Sequence, residues 1–288
     1  MAGFIKDREK TELYAGLITM GIAVILLVVA LIVLTRCSAD APEESTGPST
    51  TASTTASAPT EPVLIPNPYS AGDFAYRNGY LTCISGPSEL GVDVSSHQGS
   101  IEWDRVADAG ISFAMVRIGY RGYGNGKLLE DPLWSSNLQR AQENGLQVGV
   151  YFFSQAISVN EAVEEARLVL QWLDGQPLDL PIAFDWEYVS DTARTANVDA
   201  ETLIACALAF CETVKSAGYD AMVYFNIEIA NRLLDLEQVQ QSGYGFWLAA
   251  YTSSMTYPHR LDMWQYTDGG SVPGISGNVD LNLRFTYE

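Results

Sequence analysis

Apolar positions fall into three regimes along this chain, and the changes between them are abrupt. From Ala15 to Leu34 there are 20 residues without a charge, long enough at ~1.5 Å per helical residue to cross a bilayer core. Ser38 to Pro62 then holds no aromatic or large aliphatic side chain, and 20 of its 25 residues are Ser, Thr, Ala or Pro. Such a segment buries too little apolar area to offset the entropy of ordering it. From Val63 onward, apolar residues recur with helical and strand periods, which marks the start of folded material.

Within the third regime one unit repeats: a stretch of helical periodicity ends at a glycine and a β-rich run follows at once. DRVADAG–ISFAMVRIG, LQRAQENG–LQVGVYFF, LVLQWLDG–LPIAFDWE and CETVKSAG–YDAMVYFN close their helices at Gly110, Gly145, Gly175 and Gly218, where glycine suits a left-handed cap. Asp131-Pro132 predicts an N-cap with proline at the first helical position, and Ser158 with Glu161 predicts a capping box. Val163, Ala166, Leu170 and Leu173 share one helix face, as do Leu203, Ala207, Phe210 and Val214. Strands are predicted at 91–95, 112–118, 147–153, 181–187, 221–226, 246–251, 261–266 and 278–281. Alternating helices and strands predict βαβ units on a parallel sheet. Eight strands in about 200 residues predict an α/β fold, an irregular β/α barrel of the TIM-barrel kind. The last three strands are joined by short Gly/Tyr-rich loops, so helices are expected to be short or missing in the C-terminal part.

Charge sets the expected topology. Lys6, Arg8 and Lys10 precede the uncharged run, and only Arg36 follows it before Asp40, Glu43 and Glu44. The positive-inside rule places residues 1–14 as a cytoplasmic tail, 15–35 as a transmembrane helix, 36–66 as a disordered Ser/Thr/Pro/Ala-rich linker and 67–288 as an extracellular domain. The expected location is the cell membrane, single-pass, with the lipid bilayer engaged through residues 15–34. A cleaved signal sequence is the alternative, but the run is long for one and no small-x-small cleavage pattern follows closely.

A net charge of −19 argues against a nucleic-acid partner, which needs clustered Lys and Arg. Cys37, Cys83, Cys206 and Cys211 form no CxxC pair and the chain has two histidines, so no zinc site is expected. Cys206 and Cys211 lie five apart on a predicted helix, and buried free thiols are the expected state.

The candidate chemistry lies in carboxylates. Alternate residues of a strand share a face, so in PIAFDWE Ile182, Phe184 and Trp186 are expected to pack outward while Ala183, Asp185 and Glu187 point into the barrel. The same reading of GVDVS turns Asp93 and Ser95 inward, and in GNVDLN it sets Asp280 opposite Val279 and Leu281. Four acids from three strands then converge at the mouth where barrel enzymes place their chemistry. Glycoside hydrolysis needs one carboxylic acid to protonate the leaving oxygen and a second group to stabilise the positive sugar centre. Neighbouring like charges keep one member protonated. The plainer alternative, loop-edge charges or helix caps, does not account for acids in matching positions between apolar neighbours. Tyr151, Tyr224, Trp247, Tyr251, Trp264 and Tyr266 fall near strand ends, where sugar rings stack and hydroxyls orient polar groups; Tyr151, Tyr224, Trp247, Tyr251, Gln265 and Tyr266 are the candidate substrate-binding residues. His97 is expected to close its loop and Arg117 to pair with a barrel acid. GYRGYGNGK is not a phosphate loop, since no GK[ST] is present and no helix opens directly after it.

GVDVSSHQG, MVRIGYRG, the GLQVGVYFF unit, LPIAFDWE, FWLAAY, MWQYTDGG and GNVDLN, in this order, resemble glycoside hydrolase family 25, the lysozymes typified by the fungal and Streptomyces muramidases. The resemblance covers about Leu90 to Leu283. It implies hydrolysis of the β-1,4 bond between N-acetylmuramic acid and N-acetylglucosamine in peptidoglycan glycan strands, without metal or cofactor. It implies Glu187 as general acid and Asp185 as its neighbour, steering the acetamido group or stabilising the cation, with Asp93 and Asp280 completing an acidic floor. Val189–Asp199 and Asn67–Glu89 depart from the family pattern; the first bears on substrate reach, and the second is either a lead-in or a cover. A family 18-like glycosidase is a weaker reading, because of that family's acids two, four and seven residues before the glutamate only Asp185 is met. A non-catalytic wall-binding barrel on a stalk is the reading from another class.

Overall fold

The computed structural model describes residues 64–232 and 234–287. The expected tail, membrane helix and nearly all of the linker, with Cys37, lie outside the described residues. Among the described residues no helix is long and apolar enough to cross a membrane.

The chain forms a hairpin of β1 (Phe74–Arg77) and β2 (Tyr80–Cys83), then β3 (Ser88–Val94), α1 (Trp103–Asp108), β4 (Phe113–Arg121), β5 (Leu128–Glu130), α2 (Trp134–Glu143), β6 (Gln147–Ser154), α3 (Val159–Leu173), β7 (Ile182–Trp186), α4 (Ala200–Ser216), β8 (Ala221–Asn226), α5 (Ile227–Arg232), α6 (Leu236–Gln241), β9 (Gly245–Ala249), β10 (Met263–Gly270) and β11 (Val279–Phe285). Eight of these strands close a barrel in the order β3-β11-β10-β9-β8-β7-β6-β4, with β4 pairing back to β3 and β5 hanging on β4. All eight are strands that the apolar pattern predicts. The four helix-ending glycines adopt positive φ, between 79° and 92°, as expected of left-handed caps.

One strand breaks the expected parallel order. β11 runs antiparallel to both β10 and β3. Only residues 271–278 separate β10 from β11, too few for the crossover of a dozen or more residues that a parallel return requires. Among the described residues no helix packs on this side of the sheet, and the β1–β2 hairpin covers it. Phe74 packs edge-on against Trp264 at 5.1 Å and Phe285 at 6.1 Å, and Tyr69 lies 5.0 Å from Phe285. The unmatched run 67–89 is therefore a cover, substituting aromatic contacts for a missing helix.

Two further expectations change. Asp131 does not cap α2, which begins at Trp134 with Leu133 at the N-cap; the Asp131 carboxylate is buried and taken by other groups described below. On α3 the buried face is Ala162, Glu165, Ala166, Val169 and Leu173 rather than the stripe through Val163 and Leu170, because Glu165 is drawn inward to an arginine. The α4 stripe of Leu203, Ala207, Phe210 and Val214 is buried as expected, and Cys83, Cys206 and Cys211 are buried free thiols.

The core has two shells. Outward-facing strand residues such as Val92, Val94, Ile182, Phe184 and Trp186 pack with the helices and the hairpin. Phe113, Met115, Leu180, Ala183, Met222, Tyr224, Trp247, Ala249 and Met263 fill the barrel interior. That filling needs glycine at Gly91, where a Cβ would come within 2.3 Å of the Phe113 ring. The described chain enters at the base: Ile65 donates its N–H to Gln240 and accepts from the Arg260 amide, and Pro66 bridges to His259. Ile65 thus lies beside strand starts such as Ala221, Gly245 and Met263, at the pole opposite the strand C-termini.

Candidate active site

At the C-terminal ends of the parallel strands the barrel opens into a pocket of about 230 Å³ whose lining includes Asp93, Asp185, Glu187 and Asp280. Asp93 and Asp280 face each other across the β3–β11 pairing. Asp280 reaches the mouth from the start of its strand because β11 is reversed. Asp185 is the penultimate residue of β7, and Glu187 stands one residue past its end.

Asp93, 5% exposed, anchors a relay of amides. One of its oxygens accepts from Asn282 Nδ2 and from Gln265 Nε2, both at 2.8 Å. Trp247 Nε1, which can only donate, gives its hydrogen bond to Asn282 Oδ1 at 2.9 Å. Tyr224 and Tyr251 donate to Gln265 Oε1, both at 3.1 Å. The indole thereby fixes which way the Asn282 amide points, leaving its nitrogen for Asp93.

Little positive charge reaches the four acids directly. Arg117 lines the pocket, yet its Nε and a terminal nitrogen donate to Asp131 at 3.0 and 2.8 Å. The expected pairing of Arg117 with a barrel acid is thereby corrected, since its partner Asp131 follows β5 and lies outside the barrel mouth. Burial pushes Asp131 up, but the amides of Ser96 and Leu133 and the guanidinium outweigh it and hold this acid below the usual range. The mouth acids show the reverse. Burial lifts Asp93 to about 6 despite its amide donors. Burial and then the charge of Asp93 raise Asp280 to about 8. Asp185 is held well above its ordinary range by burial, by Glu187 and by Asp93, and Glu187 is raised by burial and by Asp93. All four mouth acids are thus shifted toward their neutral form. Asp185 Oδ1 is buried without a hydrogen-bond partner, on a residue that lines the pocket.

Of the candidate binding residues, Tyr151, Tyr224, Trp247, Tyr251 and Gln265 line the pocket. Tyr266 does not, and that expectation is corrected: with Trp264 it belongs to the outer shell, the two rings 6.0 Å apart. The alternation that turns Gln265 inward turns both of its neighbours outward. Trp247 is 1% exposed, a floor under Tyr151 and Tyr224 rather than a stacking surface. Tyr251, 56% exposed, offers a free ring. Ser95 accepts from the His97 amide and Gln98 accepts from the Ser95 amide, so the SSHQ run folds as a capped turn with His97 at the rim. Asn282 is a site residue that the search for acids and aromatics misses, although it lies two residues beyond Asp280 on the same strand face. Among the described residues no cluster of His, Cys, Asp and Glu has metal-holding geometry.

Comparison with known proteins bears on what this pocket serves. Glycosyl hydrolases family 25 matches residues 92–275, more than half of the chain. The chain belongs to that family. It is thus a glycoside hydrolase. YegX, an uncharacterized protein of Escherichia coli K12, is 31% identical over 206 residues, 67% of this chain and 68% of YegX. Lysozyme M1 of Streptomyces globisporus is 27% identical over 200 residues, 67% of this chain and 66% of that enzyme. Among solved structures, the modular autolysin LytC of Streptococcus pneumoniae is similar at 25% identity and a TM-score of 0.61. The match covers 74% of this chain and 52% of LytC, so this chain spans about half of that autolysin. The family 25 match encloses Asp93, Asp185 and Glu187 and ends before Asp280.

Proposed function

We propose that this family 25 chain is a peptidoglycan muramidase, cleaving the β-1,4 bond between N-acetylmuramic acid and N-acetylglucosamine, and that residues 15–34 anchor it in the cell membrane with the barrel outside. The observation that carries the enzymatic reading is the meeting of four carboxyl groups in one half-open pocket with the nearest arginine tied elsewhere. Lysozymes and an autolysin among the relatives support the choice of substrate.

Glu187, its proton affinity raised by burial and by Asp93, donates its proton to the leaving glycosidic oxygen as the C1–O bond breaks. Positive charge growing on the anomeric carbon is met by the acidic floor, with Asp93 the most easily ionised of the three aspartates by its smaller upward shift. Asp185 Oδ1, unpartnered within the pocket, accepts from the acetamido N–H of the sugar or faces the cation. Water supplies the hydroxyl and returns a proton to Glu187. The Tyr251 ring is the stacking surface, and the Tyr224 and Tyr251 hydroxyls are tied to Gln265. Rate falls on the alkaline side once Glu187 ionises, above the ordinary carboxylate range.

The purified chain is expected to release muropeptides carrying N-acetylmuramic acid at the reducing end. Binding to walls without new reducing ends would point instead to a displayed binding module.

The membrane reading rests on the uncharged run and on Lys6, Arg8 and Lys10 before it. Protease added outside intact cells should release an active domain, and complete protection would overturn the placement.

A further inference from the structure

The general acid proposed above lies beyond the support of the sheet. The β6–β7 ladder ends where Ser154 pairs with Trp186, and Glu187 is the next residue. Its carbonyl is taken by a side chain: Gln155 Nε2 donates to Glu187 O at 2.8 Å and to Ser154 O at 2.9 Å. Gln155 is fully buried. Because both carbonyls can only accept, the amide nitrogen must face them and its oxygen must face away. That oxygen accepts from the hydroxyl of Thr195 at 3.0 Å, itself 1% exposed.

Thr195 comes from the segment that follows Glu187 and departs from the family pattern. The segment is pinned around the same point. Arg194 donates to the Gln155 carbonyl at 2.9 Å and to both oxygens of Glu161 at 2.9 and 2.6 Å, while its own amide donates to Tyr123 O. The chain after the acid therefore loops back and fastens the residue that holds the acid's backbone. A peptide plane fixed in this way fixes the Cα–Cβ direction of Glu187, and a misplacement of about 1 Å at a reacting group costs on the order of a hundredfold in rate.

We propose that Gln155 and Thr195 are positioning residues for Glu187, extending the β6–β7 ladder by one rung through a side-chain amide, and that the 189–199 segment tunes the acid rather than substrate reach. The role presupposes that Glu187 is the general acid. The Gln155 amide replaces a missing strand neighbour, and the Thr195 hydroxyl holds the far end of that amide in place.

The test uses the full-length chain on purified peptidoglycan. Gln155→Leu is expected to lower kcat about a hundredfold with KM within threefold of wild type. Thr195→Val, which keeps the shape and removes the donor, should lower kcat about tenfold, the cost of one hydrogen bond of roughly 1.4 kcal/mol. Thr195→Ser should recover most of that loss. In Leu and Val variants the alkaline limb of the kcat profile moves to lower pH as Glu187 gains access to water. Amide exchange at Arg194 and Ala196, both hydrogen-bonded in the segment, should accelerate at least tenfold without substrate present. If Gln155→Leu fails to fold, Thr195→Val against Thr195→Ser decides the matter. A kcat within twofold of wild type in stable Leu and Val variants overturns the proposal, as does a Thr195→Ser variant no better than Thr195→Val. Unchanged exchange in the variants overturns it too, whereas accelerated exchange in the variants of a chain whose wild type does not hydrolyse peptidoglycan overturns the muramidase reading instead.

Discussion

Two groups of buried and half-buried acids sit in neighbouring parts of this barrel, and they meet opposite partners. On the flank, α3 brings Glu161 and Glu165 against Arg121 and Arg194: Arg121 Nε donates to Glu165 at 2.6 Å and Arg194 to Glu161 at 2.6 Å. Burial opposes ionisation of Glu161, but Arg194, the Ile157 amide and Arg121 outweigh it and lower its pKa. At the mouth, Asp93, Asp185, Glu187 and Asp280 receive neutral amides or each other's charge, and all are raised. Side-chain type is shared by the two places; the guanidinium groups are the difference. The flank cluster fastens helix to sheet, and the mouth cluster keeps protons available for chemistry. Glu165 marks the boundary between the two regimes, since full burial lifts it to about 7 even with Arg121 and Ser154 donating to it.

Substitutions test that division. The largest effect is expected from Glu187→Gln, which should cut kcat/KM by about a thousandfold or more through loss of the proton donor while leaving the melting temperature nearly unchanged; turnover and thermal melts read both. Arg121→Met should do the opposite. It leaves Glu165 buried without its cation, a loss of about 3–5 kcal/mol, which lowers the melting temperature by roughly 10 °C, with turnover well below that temperature changed only a few-fold.

Asp280→Asn should stabilise the chain in a pH-dependent way. The folded carboxyl holds its proton up to about 8 against an ordinary value of 3.8. Its stabilising contribution is therefore complete below the ordinary value and is lost as pH rises through the folded one. The variant titrates nothing there, so its melting temperature should gain on wild type progressively between those two pH values and hold level above them. A gap that does not change with pH would show that Asp280 is not held neutral by the fold. The smallest contrast is between tyrosines: Tyr251→Ala should raise KM by up to about tenfold through a lost sugar-stacking face, whereas Tyr266→Phe, beneath the hairpin cover, should alter KM less than twofold.

Most of this organisation is legible in the order of residues along the chain. The eight strands follow from their apolar runs and the glycine helix ends from left-handed caps, while the inward turn of Asp93, Asp185, Glu187 and Asp280 follows from strand alternation, because a side chain two positions on returns to the same face. The same rule, carried two residues past Asp280, finds Asn282. It also excludes Tyr266, one position from Gln265. Glu165 is hidden because a helix stripe is read by apolarity, and a buried acid beside an arginine breaks that stripe without breaking the helix. Asp131 misleads because Asp-Pro before a helical period has the local form of an N-cap, while its burial partner, Arg117, is 14 residues away.

By itself the sequence determined the period of every barrel strand, the acids that share a face, and the family to which they belong, since these depend on neighbours within a few residues. The tertiary structure decided what each acid meets: amides for Asp93, arginines for Glu161 and Glu165, an open pocket for Asp185. It also decided the reversal of β11, the hairpin cover over β10 and β11, and the clasp of Gln155 and Thr195 behind Glu187. Proton affinity and orientation are set by groups far apart in the chain, brought within hydrogen-bond reach only when the barrel closes.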